Sequence, residues 1–421
     1  MLLVSNFVNP LSRPTFFNSF MATNNANQRS ALKDFLGSIA TIKGDLSNIT
    51  APPFVLSTQS TTELPSYWAE YPSIFVAPAL CDDPKERALL VLRWFLSCLR
   101  RQQYGGRPES EGVKKPLNAF LGELFVATFP SPSAEGDTVQ VGETKLIAEQ
   151  VSHHPPITAC CLWNETHGVR AEGYACQKIT FNGSVNIKQM GHAIITLEKW
   201  NETYLIPLPA VKVSGILSGV PYPELGGHYQ IISSSGYAAE IDFSGKRVLG
   251  FGGEKHHVHA AIFETSDESK KTPLYEIEGA WNGAMVVKDA EGKETDTWNV
   301  QDLTPVPPQV PSDEEQSPYE SRRAWAGVIA SLNKGDMQGV VDAKSKVEEA
   351  QRSQRKKRAE QEKEWNTLFF KKVETDEEFS KLSKSIRQEQ VQDSESHGFW
   401  KFDRGTEGKS RPFREGKPWD P

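Results

Sequence analysis

Between Leu146 and about Val300 the chain breaks into short runs rich in β-branched and aromatic residues, each closed by turn residues. No other feature limits the fold as much. Runs at 158–163, 169–175, 179–187, 192–198, 211–216, 228–232, 237–243, 257–264 and 274–281 read as strands. Within 237–243, Tyr237, Ala239, Ile241 and Phe243 alternate with Ala238, Glu240 and Asp242, the period of two that buries one face of a strand. Many strands at a spacing of roughly ten residues predict an antiparallel sandwich or barrel.

Helical patterns flank this region. Pro84 suits the first position of a helix over 83–102, where Leu89, Leu90, Val91, Leu92, Trp94, Phe95, Leu96 and Leu99 leave only Arg93 and Ser97 to interrupt an apolar surface. That helix should be buried around most of its circumference. Upstream, Leu32, Phe35, Leu36, Ile39 and Ile42 recur at helical spacing, with Ser30 as a cap and Lys43-Gly44 as the stop. Two readings of this short amphipathic helix stay open: permanent packing on the core, or a mobile lid that also senses loosely packed membrane. Four prolines in the eight residues 304–311 mark a crossover. Helices over 317–333 and 337–364 follow, the second carrying Arg355-Lys-Lys-Arg358. Residues 1–29 are expected to be a disordered tail, with Met21 as an alternative initiator. Residues 366–421 read as a polar extension with one further helix over 374–392 and with Trp400 and Trp419 in loop-like surroundings.

Several functions are excluded or demoted. With 47 basic against 54 acidic residues the net charge is −7, so bulk charge does not favour nucleic acid and any basic site must be local. Cys81, Cys98, Cys160, Cys161 and Cys176 form no Cys-x-x-Cys pair, which favours reduced, packed thiols and a cytosolic setting. No apolar run is long enough to span a bilayer. Residues 105–113 form a loop, and Gly250-Phe-Gly-Gly253 reads as a hairpin turn. His256, His257 and His259 cluster without a carboxylate or cysteine at useful spacing, so no metal is expected. Nucleophile motifs are missing, and no cofactor is implied.

The chemistry concentrates in Glu149-Gln-Val-Ser-His-His-Pro-Pro156. Each proline fixes its own φ and biases the residue before it towards an extended backbone, so His153 and His154 sit on a stiff segment. Imidazoles titrate near neutrality and donate from both nitrogens once protonated, which suits a phosphomonoester. Two surface histidines in a proline turn are the plainer alternative. Lys344, Glu348 and Arg352, spaced i, i+4, i+8, share one helix face over about 12 Å. Taken alone they are an ordinary charge ladder, worth a few tenths of a kcal/mol per pair.

The eight-residue stretch resembles the signature of the oxysterol-binding-protein-related family of lipid-transfer proteins. Lys114-Lys-Pro-Leu-Asn-Ala-Phe-Leu-Gly-Glu-Leu-Phe125 is similar to the family segment that precedes it. Gly44-Asp-Leu-Ser, Ala51-Pro-Pro-Phe and Tyr67-Trp-Ala-Glu70 resemble the family's start, and Glu320-Ser-Arg-Arg-Ala-Trp325 its helical end. The resemblance covers residues 30–365 and is closest to short members made of the lipid-binding domain alone. It implies an α+β, mainly antiparallel β fold: a large incomplete β-barrel (115–303) around a hydrophobic tunnel, a lid at 30–43 and C-terminal helices at 317–364. It implies a phosphatidylinositol 4-phosphate site in which His153, His154 and Arg352 take the ring phosphate. Lys344 and Glu348 contact the ring, and Lys115 and Asn118, with Leu117 between them, hold the linking phosphate. Trp68, Gln103, Tyr104 and Gln189 would surround a sterol of the ergosterol or cholesterol kind, and Leu32, Phe35, Leu36 and Ile39 would form the lid. A further sterol-site position, asparagine in those relatives, is Ala175 here. The expected protein is a monomeric, non-enzymatic lipid exchanger of the cytoplasm, transiently touching organelle membranes such as endoplasmic reticulum or Golgi. Exchange of phosphatidylserine or another glycerophospholipid, a non-transporting sensor, and a metal-dependent hydrolase built on His153, His154 and the 256–259 cluster are the rivals.

Overall fold

The structure, a computed structural model, describes residues 30–42, 44–46, 49, 51–131, 140–216, 220–244, 254–267 and 272–420. The N-terminal tail with Met21, the helix stop at Lys43 and the turn at 250–253 lie outside the described residues. A first helix, α1 (30–40), is followed by β1 (Leu56–Ser60), α2 (Pro72–Leu80) and α3 (Pro84–Tyr104). Asp83 caps α3 by accepting from Lys85 N at 2.9 Å, and Gly105 ends it in the left-handed conformation at φ 58°. β2 (Lys115–Leu117) pairs in parallel with β1.

Thirteen strands then form one antiparallel sheet. They are β3 (Leu124–Phe129), β4 (Thr144–His153), β5 (Pro156–Asn164), β6 (Val169–Phe181), β7 (Val185–Leu197), β8 (Glu202–Ile206), β9 (Ala210–Ser214), β10 (Tyr222–Ser233), β11 (Tyr237–Ser244), β12 (His257–Glu264), β13 (Tyr275–Ala280), β14 (Ala284–Asp289) and β15 (Glu294–Asn299). Their order is β3 to β8, then β10 to β15, with β9 paired to both β7 and β10. Among the described residues no ladder joins β3 to β15, so the barrel is incomplete. The expected α+β, mainly antiparallel barrel is what the chain forms.

Two differences from the sequence reading have local causes. The run 179–187 is not one strand but the tip of the β6–β7 hairpin, because Asn182-Gly183, with Gly183 at φ 94°, turns the chain. Five strands of this sheet match none of the runs: β3, β4, β8, β14 and β15. β15, Glu-Thr-Asp-Thr-Trp-Asn, is a largely exposed edge strand that buries only Trp298 and so lacks an apolar alternation.

α3 fills one half of the barrel. Its Val91, Leu92, Phe95, Leu96 and Leu99 are fully buried in one cluster with Ile241 and Phe243 of β11 and Val258, Ala260 and Ile262 of β12. The other half, β3 to β7, is buried on both faces. Its outer face packs against α4 (Ser321–Ala324), α5 (Ala326–Lys334) and α6 (Met337–Glu360), and against the residues after 365. Those last residues are not a loose polar tail. β16 (Phe370–Val373) and β17 (Phe399–Phe402) pair, and α7 (Glu377–Leu382) and α8 (Gln388–Glu395) lie between them in chain order. Trp400 is thus on a strand, and the single helix expected over 374–392 is two. Phe369, Phe370, Phe379, Phe399 and Phe402 are buried against the barrel wall.

Candidate functional site

The paired histidines sit where β4 turns into β5, and a bulge aims them. Along β4, Leu146, Ala148 and Gln150 face the interior, while Ile147, Glu149 and Val151 face outwards. Strict alternation would send His153 outwards as well. Gln150 pairs with Thr158 but Ser152 pairs with Ile157, so Val151 is skipped and the parity changes. His153 therefore lines the internal cavity. Its Nδ1 lies 3.1 Å from Ala119 O, which can only accept, so Nδ1 carries a proton and Nε2 is left for a ligand. Burial, followed by the His154 ring with its centroid 4.7 Å away, holds the His153 pKa below the usual range. The His154–Pro155 peptide is cis.

Across from the imidazoles stands β2. Lys115 Nζ donates to Asn118 Oδ1 at 2.6 Å, and both residues line the cavity. Burial, reinforced by the nearby Lys344 ammonium, pushes the Lys115 pKa down to about 8. Leu117 points the other way. Its side chain is fully buried in the outer core, so its contribution here is to hold β2 in place. The helix α6 runs alongside: Lys344 and Glu348 are ion-paired, and Glu348 faces both Lys115 and His153 closely enough to favour their charged forms. Arg352 is exposed, and the guanidinium that meets an imidazole belongs instead to Arg355, 2.8 Å from His154 Nε2. None of Lys344, Glu348 and Arg352 forms the cavity wall itself.

That cavity has a volume of about 750 Å³. Leu32, Phe35, Leu36 and Ile39 of α1 line one side, and Trp68, Gln103, Tyr104, Gln189 and Ala175 line it too. Trp68 stacks on Phe95 at 5.7 Å, and Gln189 donates to Pro209 O at 2.6 Å. The Tyr104 hydroxyl lies 3.4 Å from His256 Nε2. His256 is buried beside Trp281 and Tyr222, while His257 meets Ser244 and Glu278 on the other side of the sheet. Among the described residues no group of three or more His, Cys, Asp or Glu side chains is arranged to hold a metal ion. No described helix is long and apolar enough to cross a membrane.

The family model described as oxysterol-binding protein matches residues 35–331. The chain belongs to the oxysterol-binding protein family. Protein kes1 of Schizosaccharomyces pombe is 41% identical over 380 residues, an alignment spanning 89% of this chain and 94% of that protein. The probable transporter efuK of Hormonema carpetanum is 55% identical over 383 residues, 91% of this chain but only 53% of that longer protein. The Osh1 ORD domain in complex with cholesterol shares the fold at TM-score 0.66 and 21% identity, over 88% of this chain and 86% of that one. The Osh3 ORD in complex with PI(4)P from Saccharomyces cerevisiae does so at TM-score 0.62 and 20% identity, over 89% of each chain. Oxysterol-binding proteins bind and transfer lipids and are not enzymes.

As an oxysterol-binding protein, the chain brings Lys115, Asn118 and His153 into one cavity with the four apolar residues of α1 and with Trp68, Gln103, Tyr104 and Gln189, and α6 lies close enough for Lys344 and Glu348 to act on Lys115. Sequence reasoning missed Arg355, although 344, 348, 352 and 355 continue one helical stripe and could have flagged it. It also missed the task of Glu149. This signature carboxylate is fully buried on the outer face, accepting from Leu368 N at 2.8 Å, from Phe369 N at 2.9 Å and from Arg414.

Proposed function

We propose that this protein exchanges phosphatidylinositol 4-phosphate for a sterol between membranes, the two lipids competing for one cavity. The observation that carries the reading is the cavity of about 750 Å³, apolar along much of its wall and polar at Lys115, Asn118 and His153. An apolar lipid body gains from burial there. A phosphoinositide headgroup gains from charged donors that would be costly to leave unpaired in a dry site. His153, with Nδ1 fixed on Ala119 O, offers Nε2 to a ring phosphate, and Lys115 offers an ammonium to the linking phosphate. A sterol asks nothing of these groups, so occupancy by one lipid excludes the other without any bond being made or broken. The lid α1 would close over either lipid and open at a membrane surface, with the protein acting as a monomer in the cytoplasm. Ala175, which presents no polar side chain to the cavity, keeps phosphatidylserine or another glycerophospholipid as the second reading for the partner lipid.

The test is lipid extraction from liposomes. His153→Ala with His154→Ala is expected to abolish extraction of phosphatidylinositol 4-phosphate and to leave sterol uptake largely intact. Equal loss of both lipids in a folded protein would remove the case for a headgroup-specific site. Transfer of labelled phosphatidylserine in place of sterol would select the second reading.

A further inference from the structure

On α6 the residues 344, 348, 352 and 355 lie on one face at i, i+4, i+8 and i+11. The last of them makes the contact that the motif position Arg352 does not. Arg355 Nη1 approaches His154 Nε2 to 2.8 Å. A guanidinium has no acceptor, so Arg355 donates and His154 Nε2 accepts, which makes His154 neutral with its proton on Nδ1. Only part of the five-donor fork is used, and it is used on a neutral ring. The neighbouring carboxylates on α6 are otherwise engaged: Glu348 pairs with Lys344, and Glu360 lies 3.9 Å from Lys356. Arg355 is also exposed, so its side chain has room to turn. Its charge is close enough to His153 to oppose protonation of that ring as well.

We propose that Arg355 is a phosphate-binding residue of the headgroup site, and that its contact with His154 is the resting position of a guanidinium that turns onto the ring phosphomonoester when lipid enters. This rests on the reading of the cavity as a phosphoinositide site. A charge-assisted, forked bond to a dianionic phosphate is stronger than a single bond to a neutral imidazole, so the exchange of partners is downhill. It also frees His154 Nε2, which can donate to the same phosphate once the ring takes up a proton. Phosphatidylinositol lacks the ring phosphate and gives Arg355 no reason to move. Arg355 therefore discriminates between the phosphorylated and unphosphorylated headgroups.

Extraction is measured from three sets of liposomes, carrying phosphatidylinositol 4-phosphate, phosphatidylinositol or sterol. Arg355→Gln is expected to lower extraction of phosphatidylinositol 4-phosphate by roughly tenfold or more, the loss of one charge-assisted hydrogen bond, and to leave the other two lipids unchanged. Arg355→Lys, which keeps the charge without the fork, should recover part of the loss. If the wild-type protein extracts phosphatidylinositol 4-phosphate and Arg355→Gln does so equally well, the inference is overturned and the functional reading stands. Equal loss of all three lipids also overturns it, because a role in folding or packing would then explain the effect. If the wild-type protein extracts sterol but no phosphatidylinositol 4-phosphate, the functional reading falls and this inference with it.

Discussion

Lys115 and His153 carry different ordinary charges but suffer the same displacement: burial disfavours the protonated form of each. An arriving phosphate reverses that penalty. For Lys115 the free-state value is about 8, and an anion at its ammonium raises it. A group whose pKa is higher in the complex takes up a proton on binding. Its contribution is fully present below the free-state value and is lost as pH rises through the bound-state value. Affinity for phosphatidylinositol 4-phosphate should therefore fall as pH climbs above about 8. His153, whose free-state value lies below the ordinary histidine range, adds a dependence that begins below neutrality. The phosphate's own second ionisation, near pH 6, opposes this at the acid end. Sterol has no titrating group. Competition between the two lipids should thus shift towards sterol with rising pH, and Lys115→Met should flatten the alkaline part of the curve. A preference that stays level with pH in the wild type would deny both residues a role as charged donors. At this scale the sequence announces the residue types but not their aim. Two adjacent histidines before two prolines are visible, whereas the bulge at Val151 that turns His153 inwards depends on a register no short-range pattern encodes. Leu117 shows the converse, since its place in a motif said nothing about which way its side chain points.

Among the elements, α1 and α3 were both legible from apolar spacing, yet they differ in how they are held. α3 is surrounded by barrel strands and belongs to the main core. α1 packs in a small cluster of its own, where Leu36, Ile39 and Leu46 meet Ile179, Phe181 and Ile216. Burial of two such side chains supplies on the order of 1.5–3 kcal/mol each, and ordering a short helix consumes about 1–2 kcal/mol per residue. Such an element sits at the low-stability end of a fold and can open without unfolding the rest. Deletion of residues 1–43 should leave the circular dichroism of the barrel in place, lose bound lipid quickly and slow transfer between liposomes. Unchanged retention and transfer would make α1 a packing element only. Other elements were opaque for physical reasons. α2 reads Pro-Ser-Ile-Phe-Val-Ala-Pro-Ala-Leu, apolar all round with two prolines, so neither a stripe nor good propensity marks it as helix.

For the whole molecule, the part least readable from sequence is the part that holds the site together. The aromatics after 365 are scattered singly among charges, and their burial depends on an outer barrel face formed more than 200 residues earlier. The chain end closes back on α6. Gln351 Nε2 donates to Pro418 O at 2.8 Å, and Gln354 Nε2 donates to Lys417 O at 3.0 Å and Asp420 O at 2.7 Å. Arg411 makes a forked pair with buried Glu320, both bonds at 2.7 Å. Trp365, between the guanidiniums of Arg358 and Arg414, covers Gly122, where a Cβ would stand 2.0 Å from the indole. The terminus thus positions the helix that carries Lys344, Glu348 and Arg355. Deleting residues 411–421 would remove the guanidinium partners of the buried Glu149 and Glu320 carboxylates and leave them only backbone donors. Breaking a buried ion pair from one side costs about 3–5 kcal/mol, so that variant tests folding rather than positioning. Gln351→Ala with Gln354→Ala is the sharper probe. It removes the three neutral hydrogen bonds to the chain end and the one between the two glutamines, each worth about 0.5–1.5 kcal/mol, and touches no buried ion pair. Amide hydrogen exchange along α6 should then quicken, and extraction of phosphatidylinositol 4-phosphate should fall several-fold while sterol extraction holds. If exchange quickens but phosphoinositide extraction does not change, α6 needs no anchoring by the terminus and the headgroup site is set by β2 and the β4–β5 turn alone.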